Sequence, residues 1–552
     1  MKKTYLIMLL NLLLFINLKS QTFDWAKREG LWAYDYGYGI DTDPAGNVYV
    51  AGKYELAANF SGITLTDRGN HDIYLAQYSP TGTLNWIKTA GGPTGDYAQA
   101  LDCDGTYVYI AGEIEGYGTT VTFDGTPSVN VTCTGDNDAF LAKYDLTGNL
   151  LWAISEGGLE SDKALGVAAD NDGNVYICGY FKGTADFGGT IVTGAGNRDI
   201  YIAKYDANGV FQWIRNAGGP GRDEAKSIKC DAAGNIYIAG MYSDATVFGS
   251  TTLTTPTTPT GKYYDIFLAK YAPDGALQWV KPAGGDYDDV AWGITMDNAG
   301  KIYITGEFNA YALFDAIPLT TTGEANIFVA CYDASGNAQW VTQAGGNWID
   351  RARGIGTDGT NIFITGQFAN TATFGSHTLI GIDSSEIFMA ALNNNGNFLW
   401  AKSVGGIADA YESLSYESGN AITADASGSV YATGALLDGG IFGTINLTAY
   451  SRTDAFITKI SQAVSVQENN NQQNIGLYPN PNNGNFILDL NQLPDQKVEV
   501  FISNCIGQVV DKKMYKAPST ITIDISDKEK GIYFIEIRNE GQTIQRNKIV
   551  VQ

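Results

Sequence analysis

The chain has 552 residues, with 66 Gly, 33 Tyr and only 6 Met, and 44% of it is hydrophobic. That is too long for one ordinary core, and it points to turns and strands rather than to an all-α fold. The formal charge is −24, and loss of Lys2, Lys3 and Lys19 with a leader takes it to −27; such a charge repels phosphate backbones and anionic lipid heads, which excludes nucleic acid as a partner.

Lys2 and Lys3 precede an apolar run from Tyr5 to Ile16, and Ser20 is the small residue at the expected cut. This is the pattern of a secretory signal peptide over residues 1–20. The run is about 12 residues, short of the roughly 20 a membrane-spanning helix needs, and no later stretch is longer. The expectation is an exported chain without a transmembrane segment. No cysteine precedes Cys103, so an N-terminal lipid anchor has no attachment point. Cys103, Cys133, Cys178, Cys230, Cys331 and Cys505 lie far apart, and His71 and His377 are the only imidazoles. Zinc therefore lacks a ligand set. Mostly buried free thiols are expected, with Cys103 and Cys133 the one pair close enough in sequence to bridge.

From residue 24 onwards the chain repeats. Trp25, Trp86, Trp152, Trp213, Trp279, Trp340 and Trp400 recur every 60 to 66 residues, a period that marks repeated structural units. Between them three landmarks recur, seen together in Asp289-x-Ala291-x-Gly293-Ile294-x-x-Asp297-x-x-Gly300, Ile302-Tyr303-Ile304-Thr305-Gly306 and Asn326-Ile327-Phe328-Val329-Ala330. Short β-branched and aromatic runs bounded by Asp, Asn and Gly read as strands joined by hairpin turns. Each unit is thus predicted to hold four strands: a (small residues), b (Tyr-Ile type), c (Phe-Leu-Ala type) and d (the tryptophan). Seven such units suit an all-β, seven-bladed β-propeller over residues 21–464.

The ends of the array support closure. The first repeat begins with a lone d strand around Trp25, and the last stops after its c strand around Phe456. Pairing the two completes the last blade and covers two exposed edges. Strand a carries small residues at alternating sites, as Gly37 and Gly39 or Ala98 and Ala100 show, and is placed innermost. The tryptophans are expected to fill the wedges between blades. On these motifs the repeats resemble the SBBP family of β-propeller repeats, matched for instance by Gly284-Gly285, Asp289, Gly293-Ile294, Asp297 and Gly300. The resemblance covers about residues 24 to 460. It implies a propeller fold and an extracellular or surface setting, and lends no common catalytic site.

An acid opens strand a in every repeat: Asp35, Asp96, Asp162, Asp223, Asp289, Asp350 and Glu417. One expectation is that each carboxylate accepts backbone N–H groups in its own turn. The functional alternative is a ring of carboxylates around the axis, whose repulsion a cation such as calcium or a basic ligand relieves. A second set, Asp43, Asp104, Asp170, Asp231, Asp297, Asp358 and Asp425, reads as hairpin chemistry, five of the seven in an Asp-x-x-Gly turn. No Gly-x-Ser-x-Gly elbow, phosphate loop or metal-binding His pair occurs, and no cofactor is implied. The irregular segments are the insertion Ala408 to Gly419 and the Thr/Pro-rich Thr251 to Gly261, both candidate binding loops.

Residues 465–474 lack apolar periodicity and read as a linker. Beyond it, alternating runs at Asn485 to Leu490, Val498 to Ser503, Ile521 to Ser526, Ile532 to Arg538 and Lys548 to Val551 predict a small Ig-like β-sandwich over residues 475–552. It carries nine acids and nine Lys or Arg, so the rest of the chain holds the whole net charge. Tyr478-Pro479-Asn480-Pro481, Gly484, Gly507, Gly531, Tyr533 and Lys548 are similar to the type A sorting domain of type IX secretion. The resemblance implies a cargo of Bacteroidota that meets the type IX machinery and is released or joined to surface lipopolysaccharide. The expected protein is a secreted or outer-membrane-surface binding or scaffold propeller for a glycan, a surface protein or a cation. The rival is a polysaccharide-active hydrolase or lyase using loop carboxylates.

Overall fold

The computed structural model describes residues 21–31, 33–255, 263–381, 385–405, 417–462, 475–491, 493–504, 508–539 and 542–552. The leader, the linker, Cys505, Gly507, most of the 408–419 insertion and part of the 251–261 loop lie outside them. Every element among the described residues is a strand, so no helix there is long and apolar enough to cross a membrane. Contacts divide the chain into two units, 21–462 and 475–552.

In the larger unit the fifth repeat is representative. Its a strand Val290–Met296 pairs with Ile302–Phe314, which pairs with Ile317–Tyr332, which pairs with Ala338–Gly346. The order is a, b, c, d, all antiparallel. Strands b and c are buried on both faces, which is why they read as unbroken apolar runs rather than as alternation. The N-terminal strand Gln21–Glu29 pairs with Ile445–Gln462, with Trp25 opposite Lys459 and Ala26 opposite Thr458. It thereby supplies the d strand of the sheet that ends the array, whose order is Gln21–Glu29, Ile445–Gln462, Val430–Phe442, Ser418–Ala424. The a strands lie side by side from repeat to repeat: Tyr36–Thr42 against Asp96–Cys103, onward to Ser418–Ala424, which lies against Tyr36–Thr42 again.

Each repeat also holds two short strands beyond the four expected from its sequence. Between b and c comes a short β-hairpin, as in Thr184–Phe187 with Thr190–Thr193 and Thr371–Phe374 with His377–Ile380. Its phenylalanine, one of Phe60, Phe123, Phe187, Phe248, Phe314, Phe374 and Phe442, is fully buried. It packs on the aromatic residue of its own c strand, Phe187 on Tyr201 at 4.7 Å and Phe374 on Phe388 at 4.8 Å. Burying such a ring contributes about 1.5–3 kcal/mol. The hairpin also pairs with the d strand of the preceding repeat, Ala185 and Asp186 opposite Gly158 and Gly157, and Phe314 opposite Ala283. At the closing junctions the same contact recurs, with Gly30 N–H donating to Asn59 O, and Gly405 bridging Ile441.

Trp25, Trp86, Trp152, Trp213 and Trp340 fasten the opposite end of their junctions. Trp25 Nε1 donates to Pro80 O at 3.1 Å, Trp86 to Leu146 O at 3.3 Å and Trp152 to Ala207 O at 3.2 Å, each in the c–d turn of the next repeat. Gly82 in that turn has φ +81 and lies flat on the Trp25 ring, where a Cβ would meet it at 2.7 Å; the left-handed turn and the close approach both require glycine.

The smaller unit consists of two sheets around one apolar core that includes Phe486, Leu488, Val500, Ile523 and Ile535. One sheet orders Gly476–Tyr478, Asn485–Asp489 and Thr520–Asp524; the other orders Val509–Ala517, Gln496–Asn504, Gly531–Asn539 and Gln542–Val551. Gly476–Tyr478 and Val509–Ala517 are strands additional to those expected from the sequence.

Candidate functional site

All seven acids that open strand a are buried, the most exposed being Glu417 at 3%. Five of the six aspartates have both oxygens taken up by backbone N–H groups, and the sixth, Asp289, has one. Asp35 accepts N–H groups from Leu31 and Glu55, Asp96 from Gly92 and Glu115, Asp162 from Gly158 and Lys182, and Asp350 from Gly346 and Ala369. Asp223 does the same with Gly219 and Ser243 and adds the Thr246 hydroxyl, while Asp289 accepts from Asn309 N–H. Asp35, Asp96, Asp162, Asp223 and Asp350 each clamp their own d–a turn to the end of their b strand, whereas Asp289 holds the b strand alone and Gly285 N–H donates to Asp265 instead. None of the seven lines the axial channel.

Each clamp also faces an acidic or amide residue that begins a c strand. Burial is the first cause of the high carboxyl pKa values here, and where the facing residue is an acid it adds to the rise. Asp35 and Asp162 are pushed up to about 7 and Asp96 to about 8. Asp223 and Asp350 rise to about 6, and Asp289 is raised well above the usual carboxylate range by its burial. The partners are Asp454 for Asp35, Asp72 for Asp96 and Asp138 for Asp162. The recurrent glycine of the d–a turn separates the two carboxyls: a Cβ on Gly157 would meet Asp138 Oδ1 at 2.7 Å and Asp162 Oδ2 at 2.9 Å. The second aspartate set forms the a–b turns. Asp170 Oδ1 accepts from Asp172 and Asn174 N–H and its Oδ2 from the Tyr176 hydroxyl, and Asp231 and Asp425 repeat the scheme. No group of three or more His, Cys, Asp or Glu arranged for a metal ion occurs among the described residues. Cys103 and Cys133 are free thiols, as are Cys178, Cys230 and Cys331.

The axial channel, of ≈ 460 Å³, is lined instead by later positions of strand a. In all seven repeats strand a is bulged near its start, three residues after the opening acid, the register against strand b slipping between Gly37 and Gly39, Ala98 and Ala100, Ala164 and Gly166, and likewise around the ring. A bulge re-aims the extra side chain. Here the seven extra residues are Tyr38, Gln99, Leu165, Lys226, Trp292, Arg353 and Asn420, and all seven line the channel. Two residues further on the lining is Ile40, Leu101, Val167, Ile228, Ile294, Ile355 and Ile422. One ring is uniformly aliphatic; the other has seven different side chains.

Around Lys226 and Trp292 this ring opens into an off-axis cavity of ≈ 540 Å³, which extends to Arg222, Tyr264, Tyr287, Glu307 and Arg351. Glu224, 1% exposed, takes ion pairs from Arg198, Arg222 and Lys226. Burial opposes its ionisation, yet Lys226 and Arg222 hold its carboxyl down at about 2. Glu307 pairs with Arg351 and accepts from Trp292 Nε1 at 3.3 Å. Lys226 Nζ lies 4.6 Å from the Trp292 ring centroid and the Arg353 guanidinium 5.5 Å from it. Strands a and c start at this end of the channel, so the described residues flanking both irregular segments, Thr254 and Tyr264, Gly405 and Glu417, lie at the same end.

In the smaller unit the recurrent motif residues mostly hold the fold. Asn480 Nδ2 donates to Lys548 O at 2.7 Å while its Oδ1 accepts from Val550 N–H at 2.8 Å. Gly484, at φ +95, abuts the Ser526 backbone and its O accepts from Ile525 N–H. The Tyr533 hydroxyl donates to Glu529 O at 2.6 Å. Tyr478 and Lys548 are exposed.

These features define an all-β protein built from β-propeller repeats with a distinct C-terminal unit. Residues 26–53 match the β-propeller repeat family known as SBBP, and residues 476–552 match the secretion system C-terminal sorting domain, the tail of type IX secretion. That tail marks the chain for export to the cell surface or beyond. An uncharacterized WD repeat-containing protein of Acanthamoeba polyphaga mimivirus is 27% identical over 229 residues, which is 36% of this chain and 16% of the relative. The regulatory protein FlaEY of Caulobacter vibrioides is 26% identical over 345 residues, 55% of this chain and 34% of the relative. The chain thus spans about a third or less of these relatives. A glycoside hydrolase family 32 structure from Bifidobacterium adolescentis aligns over 96% of this chain and 95% of its own at 9% identity with a TM-score of 0.23, a likeness too slight to bear on fold or activity.

Proposed function

We propose that residues 21–464 form a closed seven-bladed propeller that binds a ligand without transforming it. In this reading residues 1–20 are a cleaved leader and residues 475–552 an Ig-like sandwich that takes the propeller out through the type IX machinery. The binding face is the end of the channel where the a strands begin. The observation that carries this is the ring of bulges: the backbone device is the same seven times, and the residue it presents is different each time. A packing role would favour repetition, as in the aliphatic ring two residues on. A single asymmetric ligand favours divergence.

The seven acids that open strand a are, in this reading, turn clamps, and neither calcium nor a basic ligand occupies an axial ring of them. The rival, a hydrolase or lyase, needs a carboxyl poised to give up a proton. Glu224, buried behind Arg222 and Lys226 of the off-axis cavity, is held ionised by three cations, which suits holding rather than proton transfer. The test is the purified chain applied to arrayed glycans and to outer-membrane surface proteins, with product analysis of every glycan bound. Retention of an intact ligand, lost on changing Lys226, Trp292 and Arg353 together, is the expected result. Cleavage products would establish the rival instead.

A further inference from the structure

The axial channel changes character along its length. At the end where the a strands begin, Lys226 and Arg353 stand on the ring of bulges, and the aliphatic ring follows two residues on. Farther in, Lys229 reaches past the a strand of the intervening repeat to Asp102 at 2.8 Å. Asp41 lies close to the same ammonium, so two carboxylates share one cation there. Along the axis the lining is thus cationic, then aliphatic, then acidic. Tyr38 and Asp41 are three residues apart on one strand, roughly 10 Å at about 3.3 Å per residue, and the aliphatic layer between them is one side chain deep.

Arg353 is the one lining cation that the fold leaves unanswered. Lys226 pairs with Glu224 and Lys229 with Asp102. The acid nearest Arg353, Glu307, is engaged by Arg351 and by Trp292 Nε1. Among the described residues no carboxylate pairs with Arg353 and no acceptor takes its N–H groups. Its Nε is shut off from solvent, whereas its two Nη nitrogens keep accessible surface in the channel. The Trp292 ring lies 5.5 Å from the guanidinium on the same ring of bulges. Burial and then Arg351 lower the guanidinium pKa, and Glu307 opposes them only in part. A cation held out of bulk water without a partner is unfavourable to the fold, and sites kept at the expense of stability are those that function requires.

We propose that the axial channel binds a single carboxylate borne on a short aliphatic group, the carboxylate on the Nη nitrogens of Arg353 and the aliphatic group in the ring of Ile, Leu and Val beyond it. A planar carboxylate fits the paired N–H groups of a guanidinium, and one negative charge matches one unpaired cation. The acidic pair farther in repels a carboxylate and so sets the direction of entry. The volume of ≈ 460 Å³ lies within the roughly 300–1,000 Å³ of ordinary ligand pockets. A free short-chain acid and an aliphatic residue ending a polypeptide both present this chemistry. This rests on the reading of the protein as a binding propeller and names the ligand class of its channel.

The test is calorimetric titration of the full chain with isocaproate, with the matching alcohol isohexanol and with acetate, alongside a short alanine peptide ending in leucine with a free carboxylate. Isocaproate is expected to bind about tenfold or more tightly than the alcohol, the equivalent of one charged contact, and to exceed acetate by a similar factor through its buried carbons. Arg353→Gln should remove the preference for acid over alcohol while melting, without ligand, no lower than the parent; Arg353→Lys should keep part of that preference. Tighter binding of the peptide than of isocaproate identifies a chain end as the source, and the reverse identifies a free acid. Equal binding of acid and alcohol, or a preference that survives Arg353→Gln, overturns the proposal. So does an Arg353→Gln chain that melts well below the parent, since the guanidinium then belongs to the packing. No binding of any of these probes by a chain that still retains a glycan or a surface protein overturns it and leaves the binding function standing. A chain that retains none of them overturns both.

Discussion

The junctions between repeats and the ring of bulges are made by the same seven units, yet they treat their residues in opposite ways. At a junction the buried Phe, the Gly of the d–a turn and the acid clamp recur with few changes, as in Phe187, Gly157 and Asp162 or Phe314, Gly284 and Asp289. At the bulge the series runs Tyr38, Gln99, Leu165, Lys226, Trp292, Arg353, Asn420. Both sets are pointed inward by strong backbone constraints. The difference lies in what they meet: a junction residue meets another copy of the repeat and must fit the same space each time, whereas a bulge residue meets the channel. Uniformity therefore marks packing, and divergence marks a surface released from it.

The contrast breaks most visibly at a junction. Phe187→Ala removes a fully buried ring that packs on Tyr201 in the hairpin joining two repeats. Large-to-small changes of this kind cost about 3–5 kcal/mol. Urea unfolding should show the midpoint falling accordingly; a loss under 1 kcal/mol would mean that the hairpin does not fasten the repeats.

A smaller and graded effect comes from pH. The clamps Asp35, Asp162 and Asp96 have folded pKa values of about 7, 7 and 8, above the roughly 3.9 of an unfolded aspartate. A raised carboxyl pKa means that the neutral form suits the fold, so its contribution is full below about pH 4 and is lost as pH rises through 6 to 8. The melting temperature should fall from pH 5 to pH 8.5, by about 2–4 °C for each kcal/mol lost. Asp96→Asn should flatten part of that slope. Growing net negative charge acts in the same direction, so the substituted chain is the control. A melting temperature that climbs over this range would show the clamps to be ionised in the fold.

Much of this architecture was legible because repetition multiplies weak signals. The Trp spacing and the Tyr-Ile and Phe-Leu runs located strands b, c and d, and the leftover strand around Trp25 indicated its partner near Lys459, where the structure pairs it. The b–c hairpin escaped notice because its strands are three or four residues long in most repeats; the recurring Phe followed by a turn, as Phe187-Gly188 and Phe374-Gly375, was the available signal. The bulge escaped for a subtler reason. Small residues such as Ala291 and Gly293 signal a crowded inner strand, and that signal masks the variable residue between them, although two small residues flanking a large one are what a tight bulge requires. The acids were visible at once, but their direction was not: a carboxylate that grips backbone N–H groups and one that faces a channel have the same sequence pattern.

The smallest expected effect is the one that sharpens the comparison most. Gln99 sits at the bulge, half-buried, with one long contact from its Nε2 to Glu113 Oε1 at 3.4 Å. Gln99→Ala preserves the backbone, leaves Glu113 its ion pair with Lys163 at 2.8 Å and empties space that is continuous with the channel. Stability should change by no more than about 0.5 kcal/mol, as at an ordinary surface position, against several for Phe187 in the same urea assay. Divergence among the seven bulge residues has a functional meaning only if the fold is indifferent to them. A Gln99→Ala chain that loses 2 kcal/mol or more would make the ring part of the packing, and its variety would then reflect seven local fits rather than one ligand.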